Sequence, residues 1–129
     1  MSSPSNTKIV LTHFNWSIAR LKEAIEKEST DYYRSAALHR FSLTCNVAIE
    51  SIRIFAKEQG KICSTDESCF QWVKEKNWLE NNVDFKFILE DYQKAKNPLK
   101  DIEIKNIYTR LNNYFKILNH ISECMKLAK

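Results

Sequence analysis

From Ile104 to Met125 the chain reads IKNIYTRLNNYFKILNHISECM. Within it Ile104, Ile107, Leu111, Tyr114, Leu118, Ile121 and Met125 recur at alternating spacings of three and four over three heptads. Side chains three and four apart share one face of an α-helix, so the stretch predicts one long helix over about Lys100 to Leu127 with an apolar seam. A seam of this kind belongs to an antiparallel helical bundle. The stripe alone does not say whether the helix facing it lies in the same chain. Tyr108, Phe115 and Ile117 lie off the seam and widen the apolar surface, which suits a helix packed on two sides, including a dimer contact.

Working back from the seam, the same period repeats. Leu11, Phe14, Ile18, Leu21 and Ile25 predict a first helix over residues 8 to 28. Leu38, Phe41, Cys45, Ala48, Ile52 and Phe55 predict a second from about Asp31 to Gln59. Gly60, the only glycine, follows its last periodic residue, where a left-handed residue closes many helices. Ser64-Thr65-Asp66-Glu67 has the pattern of a capping box, with Ser64 as the cap and Glu67 reaching back. It opens a short third helix carrying Cys69, Phe70, Val73 and Trp72. Asn81-Asn82 reads as a turn. A fourth helix spans about Val83 to Lys96, with Phe85, Ile88, Leu89 and Tyr92 on its amphipathic face, and Asn97-Pro98 ends it because the residue before proline disfavours the helical region. The expected fold is all-α, an up-and-down four-helix bundle with an additional short helix.

At 129 residues the chain reads as one domain over 8–129 behind a flexible N-terminus, 1–7. Its size suffices for a real core without disulfides or metal. With one Gly and two Pro it lacks the turn residues an all-β fold needs, and 43% hydrophobic with 28% charged residues argues against disorder. The formal charge of +4 falls short of a dedicated nucleic-acid binder, and basic and acidic residues are interspersed. No run reaches the roughly 18 apolar residues of a membrane span. No signal peptide is expected at the polar N-terminus, so the expected compartment is the cytoplasm, with Cys45, Cys63, Cys69 and Cys124 as free thiols.

Few constellations carry chemistry. His13, His39 and His120 fall on three different predicted helices, none in a metal-ligand spacing with a second ligand. A single glycine rules out a glycine-rich phosphate loop. Trp16, Trp72 and Trp78 could stack bases, although aromatics at helical spacing serve a core more often. No cofactor and no metal are expected.

Several residues together resemble the nucleotidyltransferase substrate-binding protein family, a branch of the HEPN superfamily of small helical proteins. They are Arg40-Phe41 with Thr44, Val47-Ala48 and Ile52; Gly60 and the Ser64 cap; Leu89-Glu90-Asp91; and Ile107-Tyr108 with Arg110-Leu111. The resemblance covers roughly residues 18 to 126. It implies a cytoplasmic, all-helical homodimer working beside a separately encoded small nucleotidyltransferase, with nucleotide or RNA as further partners. In many HEPN relatives an Arg followed by a His forms a metal-independent ribonuclease site at the dimer interface. The His moves a proton and the Arg holds the phosphate.

Laid on this chain, those two positions are Tyr92 and Asn97. A phenol titrates near ~10 and a carboxamide does not titrate in this range. Losing a general acid–base group commonly costs ~10²–10⁴ in rate. The resemblance also implies a modifiable tyrosine, an acidic residue and a Trp-Lys pair, whose positions are Leu99, Asn46 and Ile49-Glu50. The expected function is therefore non-enzymatic: a helical substrate-binding or partner subunit. The alternatives are a divergent HEPN-type ribonuclease using Arg34, Arg40, Gln93, Lys94 and Lys96, and a structural or regulatory helical protein sharing only the fold. The candidate binding residues are Asp91, Tyr92, Gln93, Lys96 and Asn97 at the end of the fourth helix. Arg40 and Glu90 are candidate support, with Arg40 expected to pair with Asp91 or Glu90.

Overall fold

In the computed structural model, which describes residues 6–80 and 82–128, six helices follow one another and no strand occurs among those residues. They are α1 (Asn6–Ile25), α2 (Asp31–Glu58), α3 (Asp66–Glu75), α4 (Phe85–Ala95), α5 (Asp101–Tyr108) and α6 (Leu111–Leu127). The chain is all-helical. Most of the segment expected to be a flexible N-terminus lies outside the described residues, but Asn6 and Thr7 already belong to the first turn of α1.

The 28-residue α2 is the central element, packing against each of the other five helices. Its buried residues include Leu38, Phe41, Cys45, Ala48, Ile52 and Phe55, the predicted stripe in full. Antiparallel to it, α1 contributes Leu11, Phe14, Ile18 and Leu21 to the same core, and α6 packs against both α1 and α2. Full burial of a large apolar side chain contributes on the order of 1.5–3 kcal/mol, so these matching stripes drive the assembly.

The helix ends follow from local chemistry. Thr30 caps α2 by accepting from the Tyr33 amide at 3.1 Å. At the other end Gly60 is left-handed (φ 82°), and Lys61 N–H and Gly60 N–H return to the carbonyls of Ala56 and Lys57. That double return is a Schellman closure, made where glycine meets no Cβ penalty. The start of α3 is shifted by one residue from the expected capping box. Thr65, not Ser64, accepts from the Ser68 amide, and the Ser68 hydroxyl accepts from the Thr65 amide, both at 3.0 Å. A serine thus does the reciprocal work expected of Glu67. Asn77 closes α3 in the left-handed region (φ 63°), with Trp78 N–H on the Val73 carbonyl. Asparagine tolerates that conformation better than most residues. At the expected Asn81-Asn82 turn, Asn81 lies outside the described residues, and Asn82 is in a turn with Val83 N–H on the Glu80 carbonyl at 3.0 Å.

The one long C-terminal helix is two. The apolar stripe continues through the break: Ile107, Leu111, Tyr114, Leu118, Ile121 and Met125 are all buried. Between them the Thr109 hydroxyl donates back to the Asn106 carbonyl at 2.6 Å, and Arg110 N–H bonds Ile107 O three residues back. Such local side-chain bonds and tightened turns compete with the regular helical ladder. The break lets α5 pack on α2 while α6 runs along α1.

Candidate functional site

The fourth helix distributes neighbouring residues to different partners. A step of about 100° per residue separates Asp91 from Tyr92, so the first points toward α6 and the second toward α2.

Asp91 is buried, and its carboxylate is fully engaged. Arg110 donates to both oxygens, from Nε to Oδ2 at 2.7 Å and from Nη2 to Oδ1 at 3.1 Å. The Tyr114 hydroxyl donates to Oδ2 at 2.6 Å. A buried carboxylate requires this kind of satisfaction, and the guanidinium fork matches it in plane. Tyr114 in turn stacks on Phe41 of α2, ring centroids 5.3 Å apart and planes 18° apart. Its phenol is held well above the ordinary tyrosine value, first by burial and then by donating to Asp91. Arg110 is raised by the same carboxylate. One polar junction therefore joins α4 to the start of α6 and rests on α2. Arg40, expected to pair with Asp91 or Glu90, instead lies over the Trp16 ring at 5.8 Å, because it leaves α2 on the α1 side. Glu90 is exposed, and among the described residues it makes no ion pair.

Tyr92 is buried against α2 and donates at 3.5 Å to Asn46 Oδ1. Burial, followed by the negative charge of Asp66, raises its pKa. Lys96 extends its ammonium over the Tyr92 ring, 4.7 Å from the centroid. Asn97 is exposed, and its amide nitrogen donates to the Gln93 carbonyl at 3.1 Å, tying off the last turn of α4. Gln93 is exposed. The five candidates thus split into an inward pair, Asp91 and Tyr92, and a solvent-facing group, Gln93, Lys96 and Asn97.

Arg110 and Tyr114, which complete the Asp91 junction, were legible only as positions on or beside the α6 seam. The available signal was a phenol placed on an otherwise aliphatic stripe, because a buried hydroxyl needs a partner. Arg110 and Tyr114 also line a groove of about 410 Å³ between α6 and the connection from α3 to α4.

The three histidines stay apart, on α1, α2 and α6, and no group of three or more His, Cys, Asp or Glu among the described residues could hold a metal ion. All four cysteines are free thiols. Burial raises Cys45 well above the usual thiol value, and burial together with a hydrogen bond to Cys63 pushes Cys69 up to about 12. Thiols in that state are poor nucleophiles at neutral pH. No helix among the described residues is long and apolar enough to cross a membrane. Neither a protein-family model nor a curated protein matches the chain.

Proposed function

We propose that the protein is a non-catalytic helical partner subunit, a four-helix bundle with shorter additions. In this reading it is similar to the dimeric subunits that work beside a small nucleotidyltransferase in the HEPN superfamily. The observation that carries the reading is the junction of Asp91 with Arg110 and Tyr114, seated on Phe41. Three separate stretches on which the resemblance rests, around Arg40-Phe41, Leu89-Glu90-Asp91 and Ile107-Arg110, meet at that junction. Beside it, the two positions where relatives carry Arg and His are absorbed into structural contacts. Tyr92 packs on α2 and Asn97 caps its own helix. A phenol held above its ordinary pKa and an amide supply no proton shuttle near neutral pH.

The test combines hydrodynamics with co-expression. The full chain sediments as a dimer and co-purifies with a small nucleotidyltransferase from the same genome. A monomer that forms no such complex overturns the proposal. Cleavage of RNA by nuclease-free protein, abolished by Lys94→Ala with Lys96→Ala, replaces it with the ribonuclease reading.

A further inference from the structure

The groove above Arg110 has a charge pattern of its own. One wall is α6, which presents Arg110 and Lys116; the facing wall, from the α3–α4 connection, presents Glu80 and Asp84. Between them lie apolar surfaces: the ring of Phe87, 62% exposed, and half-buried Ile117. Arg110 is held in place by a buried carboxylate through Nε and Nη2, while Nη1 has no hydrogen-bond partner among the described residues. Lys116 and Glu80 make no ion pair among those residues, though they line the same groove. An immobilised guanidinium with one edge left over is a pre-organised carboxylate receptor. Acidic groups on the opposite wall disfavour a polyanion and favour a cation at that end.

We propose that this groove binds a short peptide with free termini and apolar side chains. Its carboxylate sits on the Arg110–Lys116 wall, its ammonium on Glu80 beside Asp84, whose Oδ1 caps α4 by accepting from the Lys86 amide at 3.0 Å, and its side chains rest on Phe87 and Ile117. The groove's volume of about 410 Å³ leaves room for a short peptide. A dipeptide is the smallest peptide that carries both free termini and apolar side chains, and it serves as the probe. The inference goes beyond the partner-subunit reading and does not depend on it, since it concerns a small ligand in a groove within one chain.

The test is calorimetric titration of the full chain with Leu-Phe, its N-acetyl derivative, its C-terminal amide, and AMP. Free Leu-Phe binds, and blocking either terminus weakens binding about tenfold. Glu80→Gln weakens free Leu-Phe about fivefold but leaves the N-acetyl derivative unchanged; Lys116→Gln weakens free Leu-Phe but not the amide. Both side chains are exposed, so unchanged thermal unfolding of these variants separates ligand loss from misfolding. Phe87→Ala weakens all the peptides about equally. Equal binding of blocked and free peptides, tighter binding of AMP than of any peptide, or no heat at millimolar peptide overturns the proposal. None of these outcomes bears on dimerisation or on complex formation with a nucleotidyltransferase, so the two readings fail separately.

Discussion

Along α1 and α2 the interface is largely apolar, burying Phe14, Ile18 and Leu21 of the one and Phe41, Ala48 and Ile52 of the other, with a hydroxyl pair, Ser17 with Thr44, inside it. Between α4 and α6 the link runs through a single carboxylate, Asp91, gripped by Arg110 and Tyr114. The first contact is distributed and non-directional; the second is concentrated in three side chains and depends on angles. A distributed contact sets that two helices meet, because many small gains add. A concentrated polar contact sets where they meet, because a buried charge tolerates few arrangements.

The sharpest way to break the distributed side is Phe14→Ala. Phe14 is fully buried, and emptying the site costs about 3–5 kcal/mol. A small domain has only about 5–15 kcal/mol in total, so urea denaturation of this variant shows a midpoint far below the parent, or no folded baseline.

On the concentrated side, Asp91→Ala strips Tyr114 and Arg110 of their acceptor at once. The Arg110 side chain is 43% exposed and rehydrates, whereas Tyr114 is left buried with an orphaned hydroxyl. The expected loss is about 2–3 kcal/mol, and combining Asp91→Ala with Tyr114→Phe restores part of it. Additive losses in that double-mutant cycle dissolve the junction as a unit.

Thr44→Val probes the polar inclusion within the apolar interface. The Thr44 hydroxyl donates to the Arg40 carbonyl at 2.8 Å and accepts from Ser17 at 3.1 Å. Removing it leaves the Ser17 hydroxyl buried without an acceptor, at about 1–2 kcal/mol. A cost equal to that of Asp91→Ala erases the contrast between the two regions.

Tyr114→Phe has the smallest expected effect, about 1 kcal/mol near neutral pH, since Arg110 still satisfies Asp91. Its pH dependence is more telling. The folded-state pKa of Tyr114 lies above the ordinary tyrosine value of about 10, so its contribution is complete below that pH and is lost as pH rises through the folded value. Stability curves of parent and variant therefore run parallel in neutral solution and converge in strong alkali. Curves that stay parallel throughout sink the assignment of the phenol as donor.

Sequence and structure divide along the same line as the two regions. The apolar stripes of α1, α2 and α6 were readable because burial imposes a period of 3.6 on the chain itself, and each stripe carries that signal without reference to its neighbour. Gly60 was equally readable, because a left-handed closure favours one residue type. The split between α5 and α6 was not, since Thr109 and Arg110 contain no helix breaker and the apolar period runs through them undisturbed. Expecting Arg40 to answer Asp91 failed for a related reason. Several cations lay within reach of that carboxylate in principle, and only the packing of α6 beside α4 selects Arg110.

The chain by itself determined that the protein is helical, which faces are buried and where α2 stops, because these follow from local stereochemistry and from the transfer of apolar groups out of water. Only the tertiary structure decided which cation meets the buried carboxylate, where the last helix breaks, and that Arg110 lines a groove. Those choices depend on distances between residues far apart in the chain, and a hydrogen bond exists only when both partners have arrived.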